Sequence, residues 1–227
     1  MSRILTFWRG LPPTKWLVLL LLGFILWTLI GPILNTVLPR TSKPNFRQEM
    51  NHMRQIGMAL FEFEIEFGKM PDDTTAKLVQ ERNLENRVPM GGSSSNDYFH
   101  QLIAAGIVHD PMIFYGSAVA SERPLRDWEP DMPLPPGTCG FAYIIRDAEN
   151  TPPFTPLVVY PLKHDEMVFL NRVDSKRNNH AVVLYADSSV RQHLIDRKGR
   201  MMIDGLDFFD PNHPHWNGRS FRLAWPE

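Results

Sequence analysis

The chain has little of what usually carries chemistry. Its 227 residues include one cysteine, Cys139, so no intramolecular disulfide can form. Neither sign of charge is in excess: 24 Lys and Arg stand against 25 Asp and Glu, which leaves no basic surplus for bulk nucleic-acid binding. No internal repeat is present. The run Gly91-Gly92-Ser93-Ser94-Ser95 lacks the Lys-Ser/Thr ending of a phosphate loop and has no strand before it, so it reads as a linker with a helix cap. No EF-hand or zinc-ligand spacing is matched. Charge is missing altogether between Lys15 and Arg40.

What is present fits a globular domain with an apolar segment before it. Apolar residues make up 43% of the chain, enough to bury a core. Within the uncharged stretch, residues 16–34 read WLVLLLLGFILWTLIGPIL. About nineteen residues at 1.5 Å each span nearly the roughly 30 Å hydrocarbon core of a bilayer. Trp16 stands where an interfacial aromatic is expected, and no Ala-x-Ala-like site follows. These features predict an uncleaved, single-pass anchor rather than a secretory signal. Arg3, Arg9 and Lys15 before it nearly balance Arg40, Lys43 and Arg47 after it. A short tail inside and an exported main domain is the preferred orientation.

Phe46, Met50, Met53, Ile56, Leu60, Phe63 and Phe67 recur every three or four residues, the stripe of an amphipathic helix. Thr41 or Ser42 can cap its start, Pro44 suits the first turn, and Gly68 with Pro71 stops it. Residues 61–67 alternate strictly as a strand would, but the helical period entering from Phe46 continues through them without a turn. Gly57 inside the stripe implies a close packing contact, and the charges read as a solvated face. Two short helices are expected at 74–84 and 97–105, the second ending at Gly106.

From Asp110 the pattern changes to short apolar runs split by proline and glycine. Strands are expected at 112–115, 141–145, 157–160, 166–170, 181–185 and 190–195, the last two joined by a tight hairpin over 186–189. Residues 122–137, with five prolines, read as a surface loop. Phe208, Phe209, Trp216, Phe221 and Trp225 predict that the tail 201–227 wraps back over the sheet. The organisation is therefore a short basic tail at 1–15, a transmembrane anchor at 16–38, a stalk helix at 39–70 and a head domain at 71–227.

This order, together with particular residues, resembles the type IV pilin and type II secretion pseudopilin superfamily. Ile56-Gly57-Met58-Ala59-Leu60, then Phe63 and Phe67-Gly68-Lys69-Met70-Pro71, is similar to the helix end of pilin-like proteins. Ala181 to Val190, with Asp187-Ser188-Ser189, is similar to their late hairpin, where Ser188 replaces the usual glycine. The segments Asp204-Gly205-Leu206-Asp207-Phe208-Phe209-Asp210 and Trp225-Pro226-Glu227 resemble some of their tails. The chain is a divergent member by this resemblance, without a standard prepilin cleavage motif: Gly23-Phe24-Ile25-Leu26-Trp27 is followed by Thr28 where the family has glutamate, and Arg177 stands where related proteins often have histidine.

The resemblance implies an α+β, pilin-like fold: an N-terminal transmembrane helix continuing into a long amphipathic helix packed on a small antiparallel β-sheet. It implies a structural protein of the cell envelope at the bacterial inner (plasma) membrane, with the head on the extracytoplasmic side. Its partners would be the lipid bilayer and other pilin-like or secretion-system subunits, including copies of itself in a homo-oligomer, with no nucleic acid. No catalytic residue or cofactor site is assigned. The alternative is a membrane-tethered metal-dependent enzyme or ligand-binding domain. Its candidate metal ligands are Asp207, Asp210, Asn212, His213 and His215, where His-Pro-His offers two imidazoles and the oxygens suit Ca²⁺. His164-Asp165-Glu166 reads as a turn and Cys139 as a buried small residue.

Overall fold

A computed structural model describes residues 46–83, 90–124, 132–145, 152–171 and 179–227. The chain divides at Pro44, and every described residue belongs to the unit Asn45–Glu227. Helix α1 runs over Phe46–Phe67. Glu49, Met53, Ile56, Leu60 and Phe63 are buried along it at alternating spacings of four and three, which is one face of a 3.6-residue period. Burial of each large apolar side chain on that face contributes about 1.5–3 kcal/mol. Gly68 ends the helix in the left-handed region, at φ +79°, and its N–H donates to the Glu64 carbonyl at 2.8 Å.

The expected transmembrane helix running on into the amphipathic helix is corrected. No helix among the described residues is long and apolar enough to cross a membrane. Over its described span the amphipathic helix carries Arg47, Glu49, Arg54, Glu62, Glu64 and Glu66. Ionised groups at that density are costly in hydrocarbon. The inner face of α1 belongs to the core that covers one face of the sheet. The segment 16–38, the helix start at 39–45, and Thr28 and Arg177 lie outside the described residues.

Helix α2, Asp73–Arg82, starts from a capping box in which the Asp72 carboxylate accepts from the N–H groups of Thr74 and Thr75. Helix α3, Ser95–Ala104, starts from Ser94 in the same way, with Asp97 answering. The helix therefore starts two residues earlier than the expected start at 97.

Five antiparallel strands form the main sheet in the order β4-β3-β2-β1-β7. They are β1 (Ala142–Ile145), β2 (Pro156–Tyr160), β3 (His180–Tyr185), β4 (Val190–Leu194) and β7 (Arg222–Ala224). Both faces of the sheet are covered, which is why the central strands read as unbroken apolar runs rather than alternating ones. Tyr143, Val158, Tyr160, Val182 and Leu184 pack with α1 and α3, while Ala142, Ile144, Val159, Val183 and Tyr185 pack with Phe208, Phe209 and Trp216. The tail thus folds back over the sheet, and its residues 222–224 pair with β1 as an added edge strand.

Two expected strands are otherwise. Residues 112–115 contribute to a 3₁₀ turn, Pro111–Phe114, because Asp110 caps it and Pro111 favours a turn start. Residues 166–170 supply only an isolated bridge between Leu162 and Phe169, since Asp165 turns the chain at φ +57°. A second small sheet pairs β5 (Met202–Ile203) with β6 (Leu206–Asp207) around Asp204-Gly205, both at positive φ. Asp-Gly is the favoured sequence for that mirror-image turn.

Candidate functional site

The residues between Asp207 and His215 were the sequence's best cluster of polar ligands, and the fold separates their roles. Asp207 Oδ1 accepts from Phe209 N at 3.0 Å, and Asp210 Oδ1 accepts from Asn212 N at 2.8 Å and Asn212 Nδ2 at 3.1 Å. These oxygens hold turns. The two imidazoles point the other way, into the core, and stack with centroids 3.7 Å apart. His213 Nδ1 accepts from His215 N, capping a 3₁₀ turn over Pro214–Trp216. His215 Nε2 donates to the Phe208 carbonyl at 2.8 Å, which also accepts from Trp216 Nε1 at 3.0 Å. Burial lowers the His215 pKa to about 4, with further lowering from His213 and His193 against a smaller opposing effect of the Phe208 carbonyl. Among the described residues no three His, Cys, Asp or Glu side chains are grouped to hold a metal ion.

Cys139 is buried, with its sulfur 3.6 Å from Ser95 Oγ and 3.5 Å from the Phe141 carbonyl. Burial pushes its thiol up to about 11, the opposite of what a nucleophile needs. His164 and Asp165 form an exposed pair at 3.5 Å.

The sequence reading missed Glu49 by grouping it with the solvated charges. Glu49 is 5% exposed and sits on the inner line of α1, at the spacing that Met53 and Ile56 continue. Glu49 Oε1 accepts from Ser117 Oγ at 2.9 Å and from Tyr160 Oη at 3.4 Å; Tyr160 Oη in turn accepts from Ala118 N at 2.8 Å. Burial, and then the Glu49 charge, push the Tyr160 pKa well above the usual phenol value. This cluster ties α1 to the segment after the 3₁₀ turn Pro111–Phe114. Beside it, the first turns of α1 and that 3₁₀ turn border an open polar groove of about 470 Å³, in which Arg47, Asn51, His52 and Asp110 take part. His52 Nδ1 donates to the Tyr115 carbonyl at 2.9 Å.

The outer line of α1 is the most unusual surface. Arg47, Asn51, Arg54, Met58, Phe61 and Ile65 follow one another at spacings of four and three, all of them exposed. Met58 is 63% exposed, Phe61 55% and Ile65 72%. Three large apolar side chains on one helical line, with the opposite face already packed, form a contact surface without an intramolecular partner among the described residues. The same line was hidden in the sequence because it interleaves with the inner stripe: residues 61–67 are apolar at every second position.

No protein-family model matches the chain, and neither curated proteins nor solved structures include a match to it. The pilin resemblance therefore rests on the chain's own residues.

Proposed function

We propose that the chain is a pilin-like envelope protein that acts through protein–protein contacts while attached to a bacterial plasma membrane. The observation that carries this reading is the exposed apolar line Met58, Phe61 and Ile65 on a helix whose other face is buried against an antiparallel sheet. The uncharged segment 16–34 supports membrane attachment, with the domain on the extracytoplasmic side. The order of a helix, then short helices, then an antiparallel sheet with a late β3–β4 hairpin supports the pilin resemblance. Its partners are other subunits of a pilus-like or type II secretion assembly. The candidate ligands Asp207, Asp210, His213 and His215 hold turns, a cap and a core contact, in keeping with a binding role.

Membrane fractionation followed by cross-linking of the full chain in expressing cells tests this. The full chain should sediment with membranes and cross-link to neighbouring subunits, and Phe61→Glu should abolish the cross-links without loss of the protein. Recovery of the intact chain in the aqueous fraction, or cross-links indifferent to Phe61→Glu, would refute it.

A further inference from the structure

Resting on the reading that the outer line of α1 is a contact surface, we infer that its occupant is a second copy of this chain, with the two helices antiparallel. Charge along the helix is segregated. The first half exposes Arg47 and Arg54 and buries its one acid, Glu49; the second half carries Glu62, Glu64 and Glu66 and no base. A parallel pairing in register sets like charge on like charge. Antiparallel pairing sets the basic half of each helix against the acidic half of the other.

The residues concerned are uncommitted. Among the described residues Arg54 donates only to Asn51 Oδ1 at 2.9 Å and has no acidic partner, and Glu62 has no basic one. Arg54 and Glu62 lie at equal distance on either side of Met58. An antiparallel pair centred on Met58 brings each Arg54 beside the other copy's Glu62 and Phe61. The chain already shows this constellation within itself one turn further on. Arg82 lies 4.5 Å over the Phe67 ring and pairs with Glu66 at 2.8 Å. Phe67 and Glu66 have their guanidinium; Phe61 and Glu62 present the same ring and carboxylate without one. A guanidinium that stacks on a ring while pairing with a carboxylate combines cation–π and charge-assisted contacts.

The face is small. A helix of this length presents roughly 33 Å by 11 Å, about 360 Å², against the about 800 Å² per partner of a standard stable interface. The pair is therefore weak and concentration-dependent, and it has to be trapped rather than isolated.

Disulfide trapping in the full chain, in membranes of expressing cells, tests the geometry; Cys139 is buried and does not interfere. Two differently tagged copies carry Arg54→Cys and Glu62→Cys. Mixed 54–62 disulfides should outnumber 54–54 and 62–62 disulfides. With Met58→Cys as a central reporter, Arg54→Glu should lower trapping about ten-fold, as two exposed ion pairs become like-charge contacts, and adding Glu62→Arg should restore it. Predominant 54–54 and 62–62 products, or a charge reversal without effect, overturn the antiparallel pair. If no self-disulfide forms while Phe61→Glu still abolishes cross-links to other subunits, the self-pairing is rejected and the contact-surface reading stands. If neither responds, both fall.

Discussion

Replacing Gly57 by alanine probes the closest approach of α1 to the sheet. A Cβ at this position would lie 2.9 Å from Leu184 Cδ1, inside any ordinary carbon contact, and Leu184 is itself fully buried in β3. Two effects oppose each other. Alanine in a helix interior is favoured over glycine by about 1 kcal/mol. Forcing a methyl into a filled core costs about 1–3 kcal/mol. The contact is with the end of a leucine, which can give a few tenths of an ångström but is fully buried, so a cost of about 2 kcal/mol is taken from the middle of that range. The expected net loss is about 1 kcal/mol, a fall in Tm of about 2–4 °C for a domain of this size. The decisive control is Leu184→Ala. It costs about 2–5 kcal/mol alone, but it removes the atom in the way, so Gly57→Ala in that background should stabilise by about 1 kcal/mol. Urea unfolding of the full chain, followed by tryptophan fluorescence, reads both values. A Gly57→Ala variant more stable than the wild-type chain, or the same sign in both backgrounds, would refute the packing argument.

Acid should weaken the fold through its buried histidines. Burial depresses both His100 and His215 to about 4 from an ordinary 6.5, Asp97 opposing the shift at His100. A base with a depressed folded pKa contributes its stability above the unfolded value and loses it as pH falls. The loss should run from about pH 6.5 to about pH 4, at about 3 kcal/mol for each group, visible as a falling urea midpoint; His215→Gln should flatten about half of it, and a midpoint unchanged over that window would contradict the burial. At the β3–β4 hairpin, Ser188 holds φ +61°, a conformation costing a side chain about 1–2 kcal/mol. Ser188→Gly should raise stability by about 0.5–1 kcal/mol after the extra chain entropy of glycine is counted, read as a higher Tm; a lower Tm would show that the serine is not strained.

Much of the domain was legible because local signals and burial agree. The period from Phe46 to Phe67 gives α1, Gly57 marks a close contact, and Gly68 ends the helix. The apolar runs at 141–145, 157–160 and 181–185 carry the middle of the sheet. Other features depend on contacts the local sequence does not contain. Arg222–Ala224 is too short and too polar to announce a strand; it becomes one because β1 has a free edge beside it. Residues 166–170 have strand-like composition, but the turn at Asp165 leaves them an isolated bridge from Phe169 to Leu162 and single backbone hydrogen bonds, including those to Gly199 and Pro161. For the polar residues, spacing mattered more than type. Glu49 falls on the inner line with Met53 and Ile56, so its burial was readable, although the charge drew it to the solvated face. In the His-Pro-His segment, Pro214 starts a turn that stacks the two rings on each other, with His215 against Phe208, and leaves Asp207 and Asp210 on the rim. That division could not be read without the tail's course.

Strand β7 has a consequence for how the domain is made. Tyr143 in β1 waits for Ala224, far along the chain, before its outer backbone groups find their partner. Until residues 222–224 dock, the outer edge of β1 is a bare margin. Bare margins accept any extended segment that arrives first. A copy of β7 from a second chain would cover the same margin, so exchange of this strand is the expected route to a swapped dimer.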